Sequence, residues 1–219
     1  LVHLGMTGKF FFINQKNTKY KTSFYYDINE DKDKKHDRVI FHLSRNQKLI
    51  YNDVRKFGFI KFIKNINLKQ NLHLKNLGPE PLEKKFNFSY FKQYIINKNR
   101  TIKDILMDQK FISGLGNIYV NETLFFSGIK PTKKVKNLSE GEIRKIIKFI
   151  KRILSKAIAL GGSSIKNFSS DNGKKGLFQQ YFCVYGKKGE KCSKKSCGSN
   201  IIKIVISNRA TFYCDKCQK

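Results

Sequence analysis

Gly114-Leu115-Gly116-Asn117-Ile118-Tyr119-Val120-Asn121-Glu122 is the stretch on which the fold turns. Glycines at 114 and 116 permit a tight backbone turn with positive φ. The residues that follow, Asn117–Phe126, read as an amphipathic helix. The stretch therefore predicts a break that opens directly into a helix.

Working outward, the flanks are also helical. Two shorter helices are expected upstream, at Tyr90–Asn97 and Thr101–Asp108. Downstream, Ile143, Ile146, Ile147, Ile150, Ile153, Leu154, Ala157 and Ile158 recur at i, i+3, i+4, i+7, which predicts a long amphipathic helix. Its start carries a capping box, Ser139-x-x-Glu142, with Leu138 and Ile143 spaced as a hydrophobic staple. Gly161-Gly162 stops it. Arg144, Lys145, Lys148, Lys151 and Arg152 fall on the opposite face, which we read as solvated.

Further out the pattern changes. Residues 1 to about 77 read as β, with strands at Lys9–Ile13, Arg38–Leu43 and Phe57–Ile63 and a charged loop at Asp27–Asp37. Leu1-Val2-His3-Leu4 reads like the middle of a strand. Leu77-Gly78-Pro79-Glu80-Pro81-Leu82 holds two of the three prolines and reads as a linker. At the other end, Ile201–Ile206 and Ala210–Tyr213 form a hairpin around Ser207-Asn208. The fold class is α+β, with a partial β domain and linker at 1–83, a helical domain at 84–180 and a cysteine-containing hairpin module at 181–219.

Lys and Arg number 45 against 16 Asp and Glu, a net charge of +29. This excess points to a polyanion, most simply nucleic acid. A membrane surface or RNA would also fit, and part of the excess reflects the Lys-, Asn- and Ile-rich usage of AT-rich genomes. No apolar run reaches the length of a membrane span, and no signal peptide opens the sequence. Leu1 is not an initiator Met, so a fragment or a misassigned gene start is expected.

Cys192, Cys197, Cys214 and Cys217 form the pattern C-x4-C-x16-C-x2-C. Two close pairs separated by a hairpin can place four thiolates tetrahedrally around one structural Zn²⁺. Two disulfides are the alternative, but nothing else suggests an oxidising compartment. Cys183 lies outside the pattern and reads as a small buried hydrophobe. His3, His36, His42 and His73 show no ligand spacing.

Several motifs fall in one order: His3–Gly8, Asp53–Gly58, Leu77–Leu82, Leu106–Lys110, Gly114–Glu122, Gly161–Ser164 and Asn208–Gln218. Together they resemble the formamidopyrimidine-DNA glycosylase and endonuclease VIII superfamily, over essentially the whole chain. Gly114–Glu122 is similar to its helix-two-turn-helix signature and Asn208–Gln218 to its zinc-finger end. The resemblance implies a glycosylase with DNA-(apurinic or apyrimidinic site) lyase activity in base-excision repair. It would remove oxidised purines, 8-oxoguanine and formamidopyrimidines, from duplex DNA through a Schiff base and β,δ-elimination. Such an enzyme flips the damaged nucleotide out of the stack.

The resemblance also implies roles for individual residues. Met6, Arg55 and Phe57 would fill the void left by the flipped base: Phe wedges, Met adapts, and Arg donates to the orphaned cytosine. That trio favours the formamidopyrimidine branch. DNA contacts are implied at His36, Arg55, Lys98, Lys103, Asn117 and Arg209. Asn117, at a glycine turn opening a helix, suits a phosphate. Arg209 would also assist the final elimination. Ser163, Ser164 and Lys166 match the lesion-recognition loop.

Departures accompany the resemblance. The family's N-terminal proline nucleophile, the glutamate after it and a later lysine have no match here, so the sequence reads as beginning after the family's first quarter. The 219 residues alone are therefore expected to be inactive in excision. Val54 replaces a usual proline, Lys56 a usual arginine and Asp104 a common proline. The first cysteine pair is spaced by four residues instead of two. Two other readings compete: a catalytically inactive DNA-binding remnant of the family, and a zinc-ribbon protein that binds RNA. The expected partner is lesion-bearing double-stranded DNA and not a membrane, the expected state is monomeric, and the expected location is the bacterial cytoplasm, with the nucleoid.

Overall fold

A computed structural model describes residues 1–13, 19–21, 34–65, 68, 70–163 and 176–219. The chain divides into two compact units, Leu1–Leu68 with Ala157–Gln180, and Lys69–Lys156 with Tyr181–Lys219.

The first unit is built on a sheet. Its strands are β1 (Val2–His3), β2 (Gly8–Ile13), β3 (Lys19–Lys21), β4 (Asp37–His42), β5 (Lys48–Asp53) and β6 (Phe59–Ile60). Four of them form an antiparallel sheet in the order β3-β2-β5-β4, and β1 pairs with β6. β2 and β5 run in register from Gly8 opposite Asp53 to Ile13 opposite Lys48. Val2 pairs with Ile60 and His3 with Phe59. Because β1 leads into β2 and β5 leads into β6, these two pairings bring the connections 4–7 and 54–58 side by side. Topology alone thus juxtaposes residues some fifty positions apart in sequence.

Expectation and structure differ here at three points. Phe57–Ile63 yields only the two-residue β6, and Phe57 lies in the preceding loop, exposed. Like β3, β5 had no counterpart in the sequence reading. It ends in Asn52-Asp53, residues that ordinarily signal a turn, yet both are buried, satisfied by side-chain hydrogen bonds. Of the expected loop Asp27–Asp37, residues 27–33 lie outside the described residues, Lys34–His36 form a 3-10 turn and Asp37 opens β4.

The second unit is helical, with a hairpin. Its elements are α1 (Phe88–Ile95), α2 (Ile102–Leu106), α3 (Asn117–Ser127), most of α4 (Glu140–Ala159), and the strands β7 (Ile202–Ile206) and β8 (Arg209–Tyr213). Asn87 and Thr101 cap α1 and α2 by accepting from the backbone N–H of Tyr90 and Asp104. The capping box of α4 forms in both directions: Glu142 N donates to Ser139 Oγ (3.2 Å) and Ser139 N to Glu142 Oε2 (2.9 Å). Ile143, Ile146 and Ile150 enter a core with Phe86, Phe91, Ile102, Ile105, Phe111 and Leu124. The helix ends where Gly161 and Gly162 take φ of 72° and 84°. Gly128, at φ 72°, closes α3 with its N–H on Leu124 and Phe125 carbonyls.

α3 does not keep the amphipathic character expected of it. Asn121, Glu122 and Thr123 are as buried as Val120 and Leu124. Asn121 and Glu122 accept from backbone N–H groups of the cysteine-containing module instead of facing solvent, and with Thr123 also buried, burial extends around most of the helix. Cys183 is half-buried rather than fully enclosed, packed against the cluster that surrounds the other cysteines.

Candidate nucleic-acid interface and metal centre

Two polar constructions stand out, one in each unit. In the first, the paired loops 4–7 and 54–58 present Met6, Arg55 and Phe57. Met6 and Phe57 are 53% and 58% exposed and lie together on these adjoining loops, a local apolar surface of the kind that marks interaction sites. Arg55 touches both of the others: its Nη1 lies 3.1 Å from Met6 Sδ, and its guanidinium sits 4.6 Å from the centre of the Phe57 ring. A cation flanked by two apolar groups is thereby held at the surface. Below them Asp53 is 1% exposed. Its Oδ1 accepts from Thr7 Oγ1 (2.5 Å) and Arg55 N (3.2 Å), and its Oδ2 from Gly58 N (3.0 Å) and Tyr51 Oη (3.1 Å). Burial works to raise the Asp53 pKa, but the bonds from Thr7, Gly58, Tyr51 and Arg55 outweigh it and hold the carboxyl below its ordinary range. Burial, and then the bond to Asp53, push the Tyr51 hydroxyl up to about 12, so it remains a donor.

His36 lies at the foot of β4, with Nδ1 3.3 Å from Arg38 Nη2. A register shift between Asp37 and Val39 turns Arg38 so that its Nε donates to the Asp53 carbonyl (2.9 Å). Ser163 forms an isolated bridge with Leu177. Ser164 and Lys166 lie outside the described residues.

In the second unit, Asn117 at the start of α3 is bolted to the hairpin. Its Nδ2 donates to the Ala210 carbonyl (3.0 Å), and its Oδ1 accepts from Lys103 Nζ (2.6 Å). One turn on, Asn121 Oδ1 accepts from Phe212 N (2.8 Å). Lys103 is 1% exposed. Burial first, and then the neighbouring Arg209 guanidinium, lower its pKa to about 8. Lys103, Asp104, Ser207 and Arg209 share a cleft of about 430 Å³ with Arg100 and Asp108. Arg209 itself is exposed at the start of β8, just past the Ser207-Asn208 turn. Both turn residues have positive φ, 47° and 59°, the pattern of a tight hairpin turn. Asp104, the departure from proline, ties that turn down: its Oδ1 accepts from Ser207 Oγ (2.6 Å) and its Oδ2 from Thr101 Oγ1 (2.7 Å). Lys98 lies apart from this group in the same unit, its ammonium 4.6 Å over the Tyr94 ring.

Glu122 completes the frame. Its buried carboxylate accepts from the backbone N–H of Cys183, Val184 and Tyr185 at 2.8–3.0 Å, tethering the segment that leads into the cysteine module. Burial dominates and raises its pKa. Asp53, Thr7, Tyr51, Asn121 and Glu122 had no assigned role in the sequence. All but Tyr51 stand inside the ordered motifs, yet what marks them out is burial and bonding, which a single sequence does not display.

The ligand atoms of Cys192, Cys197, Cys214 and Cys217 all lie within 4.8 Å of one another. Cys192 and Cys217 sulfurs are 3.8 Å apart and those of Cys197 and Cys214 3.4 Å. Four sulfurs at about 2.3 Å from one ion would be about 3.8 Å apart, and a disulfide would need about 2.05 Å. The spacing fits a tetrahedral metal site and not two disulfides. The thiols also titrate apart. A backbone N–H from Ser199 leads in lowering Cys197 to about 7, whereas burial leads in raising Cys217 to about 12. Sulfurs this close could all be thiolates only with a cation among them.

No helix of the described residues is long and apolar enough to cross a membrane. Residues 1–60 match the formamidopyrimidine-DNA glycosylase N-terminal domain and residues 77–169 the formamidopyrimidine-DNA glycosylase H2TH domain. A formamidopyrimidine-DNA glycosylase of Rickettsia bellii is 42% identical over all 219 residues, which span 74% of that protein. Among solved structures, the Lactococcus lactis Fpg in complex with abasic-site DNA is similar at 36% identity and a TM-score of 0.81, covering 100% of this chain and 74% of that one. MutM in complex with carbocyclic 8-oxo-G-containing DNA is similar at 36% identity and a TM-score of 0.81, covering 100% and 73%. Two domain matches in the right order, relatives aligned along the whole sequence and a shared fold agree, and the chain belongs to the formamidopyrimidine-DNA glycosylase family.

Proposed function

We propose that this protein is a base-excision DNA glycosylase with associated lyase activity, acting on oxidised purines in duplex DNA. The observation that carries the reading is the exposed trio Met6, Arg55 and Phe57, in which Arg55 touches both of the others. Two apolar side chains left in water on two adjoining loops, with a guanidinium between them, suit the space vacated by a flipped nucleotide. Apolar groups replace the lost stacking and the guanidinium donates to the unpaired base. The matched structures hold abasic-site or 8-oxo-G-containing DNA, the chemistry this surface would meet.

Asn117, Lys103 and Arg209 serve as the phosphate-binding group. Lys103 contributes its field and orients Asn117, since its ammonium is buried against that side chain. Arg209 reaches solvent and suits both a phosphate and the charge that develops in elimination. His36 and Lys98 add backbone contacts, and Ser163, Ser164 and Lys166 form the lesion-recognition loop. The four cysteines hold one structural Zn²⁺, which fixes the hairpin carrying Arg209 and takes no part in the chemistry. Functionally the chain falls into the segments 1–83, 84–180 and 181–219. It acts as a monomer on chromosomal DNA in the bacterial cytoplasm.

In this reading Leu1–Lys219 supply grip, void filling and lesion contact, and base release rests on the family's N-terminal proline amine and glutamate. The test uses a duplex carrying one 8-oxoguanine. The 219-residue polypeptide is expected to bind with steep salt dependence and to leave the base in place. The native protein, where N-terminal sequencing finds Pro-Glu ahead of Leu1, is expected to release the base and to be trapped on DNA by borohydride. Base release by the 219 residues alone would move the nucleophile elsewhere. A native protein that binds and never releases would be a DNA-binding remnant.

A further inference from the structure

The exposed trio stands on a base that has no role in the reading above. Each tip adjoins a donor to Asp53. Met6 precedes Thr7, whose hydroxyl donates to Oδ1; Arg55 donates its own N–H; Phe57 precedes Gly58, whose N–H donates to Oδ2. Arg55 N also reaches Thr7 Oγ1 at 3.0 Å, so the two loops are cross-linked through one carboxylate and one hydroxyl. Tyr51 closes the remaining side of Oδ2. Gly58 is required for this approach, because a Cβ there would overlap the Tyr51 hydroxyl. Between the tips, Lys56 is held at φ 58°, a left-handed conformation that a non-glycine residue keeps only where its surroundings over-determine it.

We infer that Asp53, with Thr7 as its partner, is the positioning group of the void-filling surface: a buried carboxylate that locks two separate loops so that Met6, Arg55 and Phe57 enter the duplex as one unit. This rests on the reading of the trio proposed above. The chemistry is specific to a carboxylate. Four donors converge on two oxygens, and an amide would turn an N–H₂ toward one pair of them. The device orders loops that have little hydrophobic core of their own, so the tips stay exposed without becoming disordered.

The experiment measures binding of the purified protein by fluorescence anisotropy to two duplexes of one sequence, one undamaged and one carrying a tetrahydrofuran abasic analogue. The readout is the ratio of the two affinities. Met6→Ala and Phe57→Ala test the trio itself and should lower the ratio. Asp53→Asn and Thr7→Val should lower it by about tenfold, the effect of losing a charge-assisted bond, with affinity for undamaged DNA within about twofold because phosphate contacts dominate there. Thr7→Ser keeps the hydroxyl and should restore the ratio. Thr7→Val carries the test if Asp53→Asn fails to fold. If the tip variants lower the ratio and Thr7→Val does not, the inference is overturned. If Thr7→Val weakens both duplexes equally, Asp53 is a fold-stabilising residue only, which also overturns it. If the tip variants leave the ratio unchanged, the reading of the trio falls and the inference with it.

Discussion

The Met6–Arg55–Phe57 surface of the first unit, proposed to fill a void in DNA, and the Asn117–Arg209 group of the second, proposed to grip phosphate, are both assembled on a buried ion, and the ions have opposite sign. Beneath Met6, Arg55 and Phe57 lies a carboxylate satisfied by four donors. Behind Asn117 and Arg209 lies an ammonium on an amide oxygen. The difference follows from what each surface must do. In the proposed function the tips enter a base stack, where position matters more than field, and a satisfied anion gives position without adding to the charge they carry. In the same proposal the second surface meets phosphate, where a cation adds attraction as well as geometry. Buried charge is costly in both places: Asp53 is held by four donors, whereas the Lys103 ammonium has one short bond to Asn117 and a longer one to the Ala210 carbonyl.

Substitutions can break or sharpen this contrast. The largest effect is expected at the metal site, because the hairpin that carries Arg209 has a small core and the metal would supply much of its folding energy. Cys214→Ser, or chelation of the metal, should cost more than about a hundredfold in DNA affinity, followed by anisotropy alongside metal analysis of the protein. The first unit should keep its thermal transition, and loss of both transitions would contradict the independence of the two constructions.

Asn117→Ala comes next. It removes the bond to Ala210 and strands the Lys103 ammonium, at about 1–3 kcal/mol for an unsatisfied buried group. Weaker binding to damaged and undamaged duplexes alike would separate this variant from those at Thr7, which should act on the ratio.

The sign of the buried charge gives a pH test of moderate size. Lys103 is lowered to about 8 from the usual lysine value. Below pH 8 the folded protein carries the buried charge at a cost; above it that charge is released while the unfolded chain still holds its proton, so stability of the second unit should rise from about pH 8 upward. DNA affinity should move the other way, falling as Lys103 loses its charge, and Lys103→Arg should flatten that fall. Asp53 is lowered instead, so its contribution is present above the ordinary carboxylate range and lost as acid protonates it. DNA titrations and thermal melts across about pH 7–9 check the first, and acid melts of the 219-residue protein the second. A fall in affinity that persists in Lys103→Arg would assign it to another group.

The smallest effect is expected at Asp104 and Ser207, joined through a solvent-exposed turn. Either alanine variant should cost about 0.5–1.5 kcal/mol, with the double variant costing no more than one of them. Additive losses in chemical denaturation would show that the bond does not hold the turn.

Much of this was legible beforehand. The helix after Gly116, the capping box at Ser139 and Glu142, the glycine stop and the cysteine spacing are local rules, and local rules survive folding. β5 escaped because Asn52 and Asp53 are turn formers until a partner strand and four donors bury them. Phe57 was read into a strand because its neighbours are apolar. The even burial of α3 was also hidden, since Asn121, Glu122 and Thr123 look like a solvent face in any periodic count.

The sequence by itself determined the family motifs, the helical pattern, the hairpin turn and the metal-ligand set, because each depends on residues close along the chain. Tertiary structure alone set Arg55 against both Met6 and Phe57, let Thr7 and Gly58 share one carboxylate, and buried Lys103 on Asn117. The contacts of Arg55 with Met6, of Thr7 with Asp53 and of Lys103 with Asn117 span 49, 46 and 14 positions, and they exist only once strand pairing and helix packing have closed the intervening chain and expelled water from the buried groups.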